Sequence, residues 1–255
     1  MNVDLNSYMI FLFISCRIGG LIFFNPIFGR RNIPAMVKVG LSLGIAVSLI
    51  SSNSGVMALE YSTLELIFVI MKEFAVGFAL GFITQLFMAV FNIGGEIIDL
   101  QMGLGMAMMY DPSSNSQISI NGKLISIMYT LLFFVTNSHI TLIAIAAKSF
   151  SIVPIGLTPV SDRIGLYIVE LFGYILVYAV QLALPLIVTQ IIVEVAVGIM
   201  MKVVPQVNVF VINLQMKLII GTLVIITIIP SLVQFIGKIN YLMLSATQEV
   251  LMFFH

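Results

Sequence analysis

Residues 171–193 read LFGYILVYAVQLALPLIVTQIIV, without one aspartate, glutamate, lysine or arginine. At 1.5 Å per residue, an apolar helix of about 20 residues crosses the roughly 30 Å hydrocarbon core of a bilayer, so this stretch reads as a spanning helix. Three further runs meet the same test: Phe74 to Gly95, Leu124 to Ala147 and Leu218 to Gly237. Weaker segments surround them. Tyr8 to Phe28 is interrupted by Arg17, Val39 to Ile50 is short, and Tyr241 to Phe254 closes the chain. The expected fold is therefore all-α, a polytopic helical membrane protein.

The composition agrees. Of 255 residues, 60% are hydrophobic and only 9% charged, with a mean hydropathy of +1.17, against roughly a quarter charged in soluble domains. Residues 1–255 form one helical membrane domain, with no length left for a separate soluble one. The 11 basic and 11 acidic residues balance, with no block of like charge, so no nucleic-acid surface is expected. Cys16, the lone cysteine, sits inside the first apolar run and excludes an intrachain disulfide. Asp4 stands where a cleaved signal would carry positive charge, so the first segment is expected to be retained. Breaks are expected at Asn25-Pro26, Ile33-Pro34, Ser51 to Gly55, Asp111 to Ser116, Pro154, Pro159 and Pro205, whereas Pro185 and Pro230 fall inside apolar runs and signal kinked or discontinuous helices. Arg30, Arg31 and Lys38 place the first connection in the cytoplasm by the positive-inside rule. The later acids Glu96, Asp99 and Asp111, set against Lys123, leave the rest of the topology undecided.

Charges inside apolar runs are costly when they face lipid. Arg17, the Lys72/Glu73 pair, Glu96, Asp99, Glu170, Glu194 and Lys217 all occur there. Either they line a polar pathway within the chain, as in a secondary transporter, or they are packed against other subunits. Their scatter favours the second reading, with Arg17, Glu96, Asp99, Glu194 and Lys217 as subunit-packing charges. A transporter would also call for an internal repeat, and none is visible. Gly40/Gly44 and Gly77/Gly81, each four apart, suit close approach of two helix backbones.

Residues 94–117, GGEIIDLQMGLGMAMMYDPSSNSQ, differ from everything around them. Glu96 and Asp99 are three apart and share a helix face. Gln101, Met102, Gly103, Gly105 and Met106 make a small-residue surface fringed by pliable thioethers, suited to close packing. Asp111, Pro112, Ser113, Ser114, Asn115, Ser116 and Gln117, preceded by the apolar Met108, Met109 and Tyr110, then form a short polar turn between apolar helices, read either as a mobile plug or as an ordinary exposed turn. No phosphate loop, zinc-protease or serine-hydrolase motif accompanies it, so no enzyme, cofactor or metal is expected.

GEIIDLQMGLGMAMMYDPSSNSQ, together with FNPIFGRRNIPAMVKVGLSLGIAV, LLFFVTNSHITLIAIAAKSFSIVPIG and ALPLIVTQIIVEVAVGIMMKVVPQVNVFVINLQMKLIIG, resembles the FliR family of flagellar type III export-gate proteins, in order from about Ile10 to Ile236. The resemblance implies a subunit of the gate at the flagellar basal body, in the bacterial inner membrane. Helical hairpins would pack there into a hetero-oligomer with FliP-like and FliQ-like subunits and an FlhB-like switch protein. Residues 1–165 would be the FliP-like part and 166–255 the FliQ-like part. The implied substrates are unfolded exported flagellar proteins, and the family's plug maps onto Met108 to Gln117. The family's Asn-Gly-His is Asn137-Ser138-His139 here, leaving His139 as a structural histidine hydrogen-bonded at a helix end. Related injectisome subunits, SctT and SpaR, carry an Asn-Gln-Arg-like stretch where this chain has Leu100-Gln101-Met102, so the flagellar branch is preferred.

Overall fold

A computed structural model describes residues 5–53, 62–105, 119–156, 161–204 and 209–254. Seven α-helices and a closing 3₁₀ turn account for nearly all of them: α1 Leu5–Phe24, α2 Ala35–Asn53, α3 Thr63–Gln101, α4 Ile120–Val135, α5 Ser138–Ile152, α6 Ile164–Val203, α7 Val209–Glu249 and the turn Val250–Phe254. Four helices are long and apolar enough to cross a membrane, or five spans if the bent pair α4/α5 serves as one. The all-α polytopic class is as expected.

Helix ends follow local chemistry. Asn25 stops α1, its side-chain oxygen accepting the backbone N–H groups of Ile27 and Phe28 at 2.8 and 3.0 Å, an Asx turn that competes with the helix. A reciprocal cap opens α3: Ser62 N–H donates to the Glu65 carboxylate at 2.8 Å, and Glu65 N–H to the Ser62 hydroxyl at 3.5 Å. Gly103, at φ 76, closes α3 in the left-handed conformation that glycine adopts without a Cβ penalty.

Two expectations are corrected. The run Leu124 to Ala147 is not one helix. Asn137 adopts φ 56 and ψ 21, and α4 and α5 meet at a 68° bend, because a short polar side chain tolerates the left-handed conformation that breaks the helical ladder. Pro185 and Pro230 end no helix, as expected, and of the two forms expected there the discontinuous one is excluded, since α6 and α7 run through both. The terminal segment from Tyr241 is no separate helix but the end of α7 and the 3₁₀ turn.

The chain divides into two compact units, neither a continuous stretch: Met1–Phe87 with Phe133–Glu170 and Asn240–His255, and Met88–Leu132 with Leu171–Ile239. In the first unit, α1 buries Ile10, Phe13, Ile14, Arg17, Ile18 and Leu21, the i, i+3, i+4 spacing of one helix face. That face meets α3 at backbone distance. A Cβ on Gly20 would lie 2.7 Å from the Phe74 carbonyl oxygen, and one on Gly77 would overlap the carbonyl of Arg17. An apolar cavity of about 180 Å³ lies among α1, α2 and α5, lined by Ile18, Leu41, Ile45, His139 and Leu142. His139 stands on the first turn of α5, but its Nδ1 is buried with no partner among the described residues, correcting the expected hydrogen bond. The second unit packs the end of α3 against α4 and α6. The Phe91 and Tyr129 rings pack at a 31° tilt with centroids 4.7 Å apart, and Gly94 admits Leu182 of α6.

Candidate functional site

Two clusters of buried polar residues, one in each unit, contain charged side chains of the apolar helices. In the first, Arg17 of α1 is fully buried, its Nη2 2.7 Å from Glu73 Oε2 of α3. Its remaining donors reach the Ser149 hydroxyl at 3.2 Å and the Val153 carbonyl at 3.0 Å, while the guanidinium lies over the Phe150 ring, 4.2 Å from its centroid. The other carboxylate oxygen of Glu73 accepts Gly156 N–H at 3.1 Å. Arg17 therefore finds its counter-ion inside the chain, where the sequence reading assigned it to another subunit. Such a pair persists in a low-dielectric interior because each guanidinium nitrogen and both carboxylate oxygens find a partner.

The second cluster lies where α3 ends and α4 begins. Asp99 Oδ1 accepts the Asn121 amide at 2.5 Å and the Asn121 backbone N–H at 3.3 Å. The same amide points at Met102 Sδ, 3.5 Å away. Gly95 and Gly122 bring the two backbones so close that a Cβ on Gly95 would overlap Gly122. Beneath Met102 lies Gly221 of α7, where a Cβ would come within 2.8 Å of Met102 Cγ and 3.0 Å of Gln190 Nε2. Gln190, fully buried on α6, donates to the Lys217 carbonyl at 3.0 Å, and the Lys217 ammonium pairs with Glu194. Asp99 Oδ2, Gln190 Oε1 and Asn213 Oδ1 are buried without a partner among the described residues.

Asp99, Met102, Glu194 and Lys217 thus belong to one chain of contacts, and Gln101 is half-buried beside Met102. Glu96 is exposed while Asp99 is buried, so the two acids do not act as a pair. Close packing accounts for Met102 but not for Gly103. Among the described residues a Cβ on Gly103 would meet only Leu214 Cγ, at 3.9 Å, and the requirement there is conformational, through φ 76. Gly105 faces the flexible end of Leu100 at 3.2 Å. Met106 and the whole plug segment, Met108 to Gln117, lie outside the described residues. Asn121, Gln190 and Gly221 went unassigned in the sequence reading, which set Glu73 beside Lys72 where the structure pairs it with Arg17. Asn121 and Gln190 stand out only as amides in apolar surroundings, and nothing in the local sequence reveals their partners. Chemically, the cluster is a tie holding the ends of α3 and α4 to α6 and α7.

Residues 8–242 match the family model described as bacterial export proteins, family 1. The flagellar biosynthetic protein FliR of Escherichia coli (strain K12) is 30% identical over 219 residues, covering 86% of this chain and 84% of that protein. FliR of Bacillus subtilis (strain 168) is 29% identical over 229 residues, covering 89% and 88%. FliR of Aquifex aeolicus (strain VF5) is 25% identical over 230 residues, covering 90% and 89%. The resemblance seen in the sequence is therefore sustained along almost the whole multi-pass chain. The chain belongs to the FliR family, the bacterial export proteins of family 1.

Proposed function

We propose that the chain is a non-catalytic subunit of the flagellar type III protein export gate, helping to form and seal the channel through which unfolded flagellar proteins cross the bacterial inner membrane. The carrying observation is the length of its apolar helices. The long helices α3, α6 and α7 have 39, 40 and 41 residues, about 60 Å each, or twice the roughly 30 Å hydrocarbon core. On α6, Leu166 near one end is 73% exposed and Val203 at the other 74%. Tilting absorbs part of such a mismatch, not a factor of two. Apolar surface beyond the bilayer calls for protein cover, which favours a hetero-oligomer with FliP-like and FliQ-like subunits and an FlhB-like contact over a lone transporter.

Two finer parts of this reading follow. Residues 1–165 and 166–255 are taken as the FliP-like and FliQ-like parts. Met108 to Gln117 is taken as the plug, supported by the Asp99–Asn121 tie, which fixes the helix ends on either side of it. The test is genetic and biochemical: deleting the gene from a flagellated host should abolish secretion of hook and filament proteins, and restoring this chain should restore it. Undiminished secretion in the deletion strain would contradict the reading.

A further inference from the structure

The face of α7 changes character at Thr227. Before it, one exposed line of the helix is apolar, with Met216 and Leu223. From there on the same line carries Thr227, Ser231, Gln234, Lys238, Tyr241 and Ser245, alternately four and three residues apart and all exposed. Exposed Ile226, Ile229 and Val233 border the line on one side. Three surroundings could receive it. Lipid does not solvate glutamine and lysine side chains, so such residues turn toward protein or water. Water favours a broad polar arc on a helix surface, whereas this line is one residue wide and bordered by isoleucine and valine. A second helix fits both features: a stripe of residues three and four apart is the width that one packed helix covers, and Ser, Thr and Gln side chains hydrogen-bond across helices in apolar surroundings.

The charge on the line adds a requirement. Among the described residues no carboxylate lies within ion-pair distance of Lys238, whose ammonium lies 5.9 Å from the centroid of the Tyr178 ring. An ammonium on an apolar helix needs an anion close by.

We infer that the line from Thr227 to Ser245, about 27 Å long at 1.5 Å per residue, is a polar seam for a single helix of a neighbouring subunit. That helix carries hydrogen-bonding side chains and an aspartate or glutamate opposite Lys238. The inference rests on the chain working inside an assembly, as proposed above, and adds which face receives a neighbour and by what chemistry.

The test places a benzophenone amino acid at Ser231, Gln234 or Ser245, with Ile229 as the off-line control, in the full chain in cells that remain motile. Irradiation should yield one and the same neighbour adduct at the three seam positions and none at Ile229. Lys238→Glu should then abolish co-purification of that neighbour, Lys238→Arg should retain it, and reversing the acid mapped on the neighbour should restore it. Adducts to lipid alone, no adduct at the seam, or equal adducts at Ile229 would each overturn the seam. Recovery of the chain in a large complex alongside any of those results leaves the assembly reading standing. Recovery of the chain alone overturns both.

Discussion

Arg17 and Glu73, 56 positions apart in sequence, meet at 2.7 Å with neither side chain exposed. The pair joins α1 to α3 and, through Ser149, Val153 and Gly156, to the end of α5 and the turn after it. Removing one partner strands a charge in an apolar interior, a loss of about 3–5 kcal/mol. Arg17→Met is therefore expected to lower both the cellular level of the chain and its thermal midpoint in detergent. The double variant Arg17→Met with Glu73→Leu should recover most of the loss, because a matched apolar pair leaves no charge unpaired. A double variant no better than the single would show that the pair's electrostatics are not what holds these helices.

Glycines of equal spacing are expected to differ in their tolerance. Gly77→Ala puts a methyl group into the Arg17 backbone, where no flexible side-chain end can yield, and should prevent stable accumulation. Gly40→Ala and Gly44→Ala meet nothing within 4 Å among the described residues and should accumulate normally, with a gain of up to about 1 kcal/mol in helix propensity. Immunoblots of membrane fractions read the difference.

At Gly103 the backbone decides. Gly103→Val forces a β-branched residue to φ 76, a strain of at least about 1–2 kcal/mol, and is expected to abolish swimming. Gly103→Asn should swim, since asparagine adopts that conformation readily. Equal behaviour of the two would mean that side-chain volume, not φ, sets the requirement.

Asn121→Ala removes the amide and one of two donors to Asp99 Oδ1, leaving a buried carboxylate with less compensation, at about 1–3 kcal/mol. Reduced motility is expected, and the same end point is expected for Asp99→Ala. The double variant should be no worse than the more severe single one, the signature of two residues acting as one tie.

Deleting Asp111 to Gln117 should leave the assembly intact but conductive to small ions. Conductance of cells or of the reconstituted complex measures this, and unchanged conductance with an intact complex would contradict a sealing role.

Much of the fold was legible because apolar runs longer than 20 residues have few other uses. The exceptions share a cause. Hydropathy averaged over a window does not register one residue's backbone, so Asn137 hid inside Leu124 to Ala147. The start of α3 had a readable mark in Ser62-Thr63-Leu64-Glu65, the spacing of a reciprocal cap, masked by the nearby charges Lys72 and Glu73. The sequence also marked Arg17 and Asp99 as residues that must avoid lipid. It did not reveal that Arg17 meets Glu73 and Asp99 meets Asn121, because pairing across separate helices depends on packing, not on local spacing.

Membership of a hetero-oligomeric gate is tested by purifying the tagged chain from its own host in mild detergent, identifying what accompanies it and measuring the native mass. A large complex containing FliP-like and FliQ-like chains is the expected result. A clean monomer or homodimer, with 60 Å apolar helices needing no other protein to cover them, would contradict it.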